Sequence, residues 1–115
     1  MKPRSAKNKG KRLQNKVRDL ILEKFETLEP DDVRSITMGD SGEDILLSPA
    51  ARRKFPFSVE CKNVEKLNVW DAYEQAKANS SGYEPIVVMK KNHKKPLVVL
   101  DAEHFIEIIK NNDKD

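Results

Sequence analysis

The chain carries a single cysteine, Cys61, among 115 residues. One thiol excludes an intramolecular disulfide and a cysteine-built zinc cluster, and a reducing compartment is the simplest setting. No apolar run approaches the roughly 18 residues that a membrane span needs. The basic N-terminal stretch has no apolar segment after it, so a secretory signal is not expected. There are no internal repeats and no low-complexity core. Acids are missing altogether until Asp19.

What is present is charge. Charged residues make up 36% and hydrophobic residues 37%, a soluble globular composition whose length suits one domain with a modest core. The net charge of +3 conceals an asymmetry. Lys2, Arg4, Lys7, Lys9, Lys11, Arg12, Lys16 and Arg18 precede the first acid, whereas acids outnumber bases in the remainder. A basic segment on a mildly acidic body suits a polyanion such as DNA or RNA; a solubilising tail is the alternative.

Residues 1–10 show no apolar periodicity and are expected to form a flexible basic arm, with the folded domain spanning 11–115. From Lys11, Leu13, Val17, Leu20, Ile21 and Leu28 follow helical spacing, and the helix is expected to stop before Pro30. Val33–Met38 alternates as a strand. Residues 39–42 are a turn by composition, followed by a short strand from Glu43 to Leu47. Ser48–Pro56 reads as a connection. Phe57–Asn63 predicts a strand with Phe57, Val59 and Cys61 on one face and Ser58, Glu60 and Lys62 on the other. Val69–Asn79 predicts a helix capped by Asn68 and ended at residues 80–82. Pro85–Met89 and Leu97–Leu100 are apolar strands joined by a lysine-rich loop. Asp101 caps a last helix, 102–110, with Phe105, Ile108 and Ile109 inward. The order α-β-β-β-α-β-β-α predicts an α/β domain with a central sheet flanked by helices.

The chemistry gathers around Glu60-Cys61-Lys62. Residues two apart on a strand share a face, so Glu60 and Lys62 can hold a divalent cation beside a phosphate or water. Gly42-Glu43-Asp44 places a second acid on a short strand after a glycine turn. If the two strands are adjacent, Asp44 and Glu60 can share one magnesium or manganese ion. A Glu-x-Lys pair on an exposed strand is also a common surface salt bridge.

The combination of Gly42-x-Asp44, Glu60-Cys61-Lys62-Asn63, Trp70, Gln75-Ala76 and Asn79 resembles the PD-(D/E)XK nuclease superfamily. Within it the pattern is most similar to small Holliday-junction-resolvase-like and phage-type endonucleases, from about Lys9 to Phe105. The resemblance implies a restriction-endonuclease-like domain with a mixed sheet, a magnesium-dependent endonuclease (manganese as a substitute) and a homodimer acting on branched DNA in the cytoplasm, the host's if phage-encoded. It matches Asp44 and Glu60 to the metal-binding acids, Lys62 to the catalytic lysine and the Cys61 carbonyl to a metal ligand. Gln75 matches a supporting glutamine on the following helix, and Ser41 a small polar residue before the acid. The proline of the family name is absent, because Glu43 precedes Asp44. Where resolvase-like relatives carry a metal-reaching Glu on the first helix, Gln14 stands.

Lys9, Lys11 and Arg12 are expected to contact DNA, with Arg52, Arg53 and Lys54 as a phosphate clamp or a solvated loop. Glu43 is expected to point away from Asp44, and Asp40 to form the turn. His93 and His104 read as surface residues. Trp70 and Tyr73 are expected in the core, with stacking on a base as the alternative. Lys90, Lys91, Lys94 and Lys95 form a second basic edge or guard a hairpin from aggregation. Alternatives to a junction-resolving enzyme are a general or nicking nuclease, an inactive DNA-binding module that Gln14 favours, and an RNA binder that leaves the acids unexplained.

Overall fold

A 22-residue helix, α1 (Pro3–Lys24), opens the chain in a computed structural model that describes residues 3–36 and 42–114. The stretch expected to be an arm is thus helical from Pro3. Its Lys, Asn and Ala residues carry no apolar period to announce it, yet none but Gly10 disfavours a helix. The stripe that seats α1 is Leu13, Val17 and Ile21, all buried, whereas Leu20 falls off it and is exposed.

After α1 a single 3-10 turn, residues 30–32, leads into β1 (Val33–Ser35), antiparallel to β2 (Ile45–Leu47). The expected extension of β1 through Met38 falls partly on 37–41, which lie outside the described residues, as do Asp40 and Ser41. The segment expected as a connection forms a short helix, α2 (Pro49–Lys54). Its signal is local: the Ser48 hydroxyl accepts from the Ala51 N–H at 3.1 Å, and Pro49 occupies the first turn, where a missing N–H costs nothing.

β3 (Phe57–Asn63) runs parallel to β4 (Glu84–Lys90), with α3 (Val69–Asn79) as the crossover, and β5 (Leu97–Val99) adds antiparallel to β4. One backbone hydrogen bond of Asp44 joins the two sheets, and another extends the β1–β2 pairing. The Asp44 N–H donates to the Val59 carbonyl at 2.9 Å, and the Asp44 carbonyl accepts from Ile36 at 3.0 Å. In place of one central sheet there are a mixed three-stranded sheet, with helices on both faces, and a two-stranded one beside it, an α/β architecture.

Strand alternation decides which face is which. Ile45, Leu47, Val59, Cys61, Ile86 and Val88 join Leu13, Val17 and Ile21 in the main core under α1. Val87 instead packs with Ala72 and Ala76 of α3 in a smaller cluster. The residues interleaved on β3, Ser58, Glu60 and Lys62, therefore face the α3 side, and Asp44, in the bend before β2, is close enough for its charge to act on Glu60 and to feel that of Lys62.

α4 (Ala102–Asn111) has the expected N-cap, with the Asp101 carboxylate accepting from the His104 N–H at 2.9 Å. Its apolar residues do not turn inward as expected. Phe105 and Ile109 are exposed, and Ile108 is only half-buried. The helix is anchored instead through His104, whose ring meets Phe57 edge-on at 5.9 Å and whose Nδ1 lies 3.4 Å from Glu84. Among the described residues no helix is long and apolar enough to cross a membrane.

Candidate active site

Gly42 sets the approach to the site. Its φ of +99° lies in the left-handed region that glycine enters freely, which turns the chain into Glu43 and Asp44. Asp44 then aligns with the edge of β3, and its Oδ2 accepts from the Cys61 N–H at 2.7 Å. In an extended strand the N–H and carbonyl of one residue point to the same edge, so the Cys61 carbonyl is directed toward Asp44 as well.

Glu60 and Lys62 extend from β3 onto the same side. Lys62 Nζ lies 3.6 Å from Glu60 Oε2. Asn79, at the last turn of α3, directs its Nδ2 toward Glu60 Oε1 in a long contact of 3.5 Å. Glu60 is 6% exposed, too buried for an ordinary surface salt bridge.

Two carboxylates held close and away from water resist ionisation. Burial pushes the Asp44 carboxyl above its usual range, against the lowering effects of the Cys61 N–H and the Lys62 charge. Glu60 is raised by burial first and by the Asp44 charge second, partly offset by Lys62 and Asn79. The Cys61 thiol is pushed far up by burial and by both acids, which leaves it a neutral core group. In the metal-free protein, folding therefore favours the protonated acids, and stability falls as pH rises from the ordinary carboxylate range through the raised values. Glu60→Gln keeps the shape and removes the charge. Thermal melts in a chelator should place this variant above the parent at neutral pH, with the advantage fading below about pH 4. A less stable variant at neutral pH would mean that Lys62 and Asn79 outweigh the burial cost.

Other expected site residues lie elsewhere. Gln75 is exposed, one turn before Asn79, and makes no hydrogen bond to the described residues; Asn79 takes the supporting place beside Glu60. Helical spacing held this signal, because Asn79 continues the buried Ala72–Ala76 stripe. Gln14 is buried on α1, where its Oε1 accepts from the Ser35 hydroxyl at 3.0 Å. Lys9, expected on DNA, is buried: its ammonium pairs with Glu65 at 3.4 Å, and its carbonyl accepts from Asn63. Lys11, Arg12, Arg53 and Lys54 are exposed as a DNA contact requires.

Arg52, expected in a phosphate clamp, is turned inward. Both terminal nitrogens bind the Glu43 carboxylate, at 2.8 and 2.5 Å, and one also donates to the Phe57 carbonyl at 3.1 Å. Although burial opposes it, hydrogen bonds from Arg52, Ser58 and Ser81 and the Arg52 charge hold the Glu43 carboxyl below its usual range. Glu43 is thereby engaged apart from the Asp44–Glu60 pair, as a buttress for the residue beside it. Trp70 also departs from expectation: it is 82% exposed, whereas Tyr73 packs against the small cluster.

Among the described residues no group of three or more His, Cys, Asp or Glu side chains is placed to hold a metal. The candidate donors are the two carboxylates and, on the strand edge that carries the Cys61 N–H, a backbone carbonyl. Magnesium keeps several waters and is often held by one or two carboxylates, so this hard oxygen set fits it. Comparison with protein-family models, with curated proteins and with solved structures returned no match.

Proposed function

We propose that this chain is a magnesium-dependent DNA endonuclease that hydrolyses phosphodiester bonds, with branched DNA as its substrate. The observation that carries the reading is the meeting of Asp44 and Glu60, both raised in pKa by burial, beside Lys62 on one side of the sheet. Holding two carboxylates together out of water is costly, and groups perturbed in this way gather at functional sites.

A divalent cation bound by Asp44, Glu60 and the Cys61 carbonyl would neutralise phosphate charge and acidify a bound water. The protein's own residues do the rest. The Cys61 N–H fixes the free rotation of Asp44, and Asn79 steadies Glu60. Lys62 sets a positive charge where negative charge grows on the phosphate, and it orients the attacking water. Exposed Lys11, Arg12, Arg53 and Lys54 supply the sequence-independent grip on the backbone.

The test is cleavage of a labelled four-way junction and a matched linear duplex, with and without magnesium, by the parent and by Glu60→Ala. Junction cuts that need both magnesium and Glu60 support the reading. Equal cutting of both substrates moves it to a general or nicking nuclease. Tight binding without cutting, in magnesium or manganese, leaves an inactive DNA-binding module, the reading that Gln14 and the small ligand set favour. Light scattering on the same preparation reads the homodimer, and a monomeric mass removes it while leaving the chemistry.

A further inference from the structure

A second feature lies beyond the carboxylates, at the C-terminal ends of the parallel strands β3 and β4. A cavity of about 380 Å³ opens there, with Leu67, Met89 and Leu97 in its apolar lining. Lys90, Lys91, Lys94 and Lys95 line it too. Glu65 is the one acid in the lining, and it is already engaged by the Lys9 ammonium at 3.4 Å and the Asn92 N–H at 2.8 Å. Glu65 also feels the Lys91 charge, so the cavity joins an apolar interior to an excess, not a balance, of positive charge. Val69 also lines it, and the next residue on α3, outside that lining, is the exposed Trp70. A tryptophan left 82% in water forgoes the burial that most indole rings obtain, and nothing in the fold uses its surface.

We propose that this cavity and Trp70 form a subsite for an unpaired nucleotide of the nucleic-acid strand that enters the Asp44–Glu60–Lys62 site; the proposal rests on the nuclease reading. The cavity lies outside the carboxyl ends of the one parallel pair, β3 and β4. A base takes an apolar slot or an indole face without regard to sequence, while its phosphates take lysines. β3 links the two places. Val64, in the cavity lining, follows Glu60 by four residues, about 13 Å at strand rise. A strand held here by one unpaired nucleotide would thus run along β3 toward the carboxylates, which gives a preference for junctions, flaps or overhangs a structural source. An acidic peptide would satisfy the lysines but would not need a flat ring face.

Trp70 is the sole tryptophan, so its fluorescence reports whether a base stacks on that ring. The full-length Glu60→Ala protein, in a chelator, is titrated with a short single strand, a blunt duplex of equal length, inorganic polyphosphate and an acidic peptide. The expected result is quenching by the single strand and none by the other three. In the same background Trp70→Ala should weaken single-strand binding about tenfold and leave duplex binding unchanged. Leu97→Asp, at an exposed position in the cavity lining, should do the same, with circular dichroism checking that the variant is folded. Saturating single-strand binding with no quenching overturns the proposal, as does equal quenching by the peptide or the duplex. Wild-type cleavage, measured separately, keeps the two readings apart. Quenching without cleavage would preserve the subsite and remove the chemistry, whereas cleavage without quenching would remove the subsite alone.

Discussion

Replacing Lys62 by methionine is expected to lower the rate of magnesium-dependent cleavage about 10²–10³-fold, the scale for removing one preorganised group that stabilises transition-state charge. Methionine keeps the length and apolar stem of lysine, and Lys62 is only half-buried, so the fold should survive. A merely structural lysine would predict a drop in stability with little change in rate per folded molecule. Circular dichroism and single-turnover kinetics on the same sample separate these outcomes.

The pH profile carries a second, independent readout. The Lys62 charge lowers the carboxyl pKa of both Asp44 and Glu60. Without it both acids ionise at still higher pH, so the acid limb of the activity profile should move toward neutrality in Lys62→Met. Lys62→Arg keeps the charge and should restore the limb, while its fixed planar fork restores only part of the rate. If the methionine variant cuts at the parent rate with an unmoved limb, Lys62 is a bystander to the reaction.

The elements that hold the candidate site were legible because their signals are local. β3 alternates with period two over Phe57–Asn63, and that alternation alone put Glu60 and Lys62 opposite Val59 and Cys61. α3 has its cap, its bounds and its break within one stretch, Asn68 to Gly82. What escaped depends on residues distant in the chain. Lys9 reads as one more exposed base until Glu65, from the far end of β3, comes to meet it. Arg52 reads as a phosphate contact until the Gly42 turn brings Glu43 beneath it. Gln75 stands one helical turn before Asn79, the residue that reaches Glu60, because local signals mark the helix and not which of its residues meets a partner from another strand. Phe105 and Ile109 have the spacing of a buried stripe, and periodicity says that such a face exists without saying what covers it.

The Glu43–Arg52 pair supports the second large effect. The two side chains are 5% and 10% exposed, and the Arg52 guanidinium also lies 4.3 Å from the Tyr83 ring centre. Removing one partner of a buried ion pair strands the other charge, so Arg52→Ala should cost about 3–5 kcal/mol in urea unfolding at neutral pH. Arg52→Met with Glu43→Leu removes both charges while keeping most of the volume, and should recover the greater part of that loss. The pH dependence has the opposite sign to that of the acids beside it. Because the Glu43 carboxyl is held below its usual range, its contribution is present at neutral pH and is lost as pH falls below about 4. Glu43 directly precedes Asp44, so Arg52→Ala should also loosen Asp44 and reduce cleavage by more than the unfolded fraction accounts for. A cost below about 1 kcal/mol would put the pair in the class of solvent-screened surface bridges. Arg52 would then be free to turn outward beside Arg53 and Lys54 and contact phosphate after all.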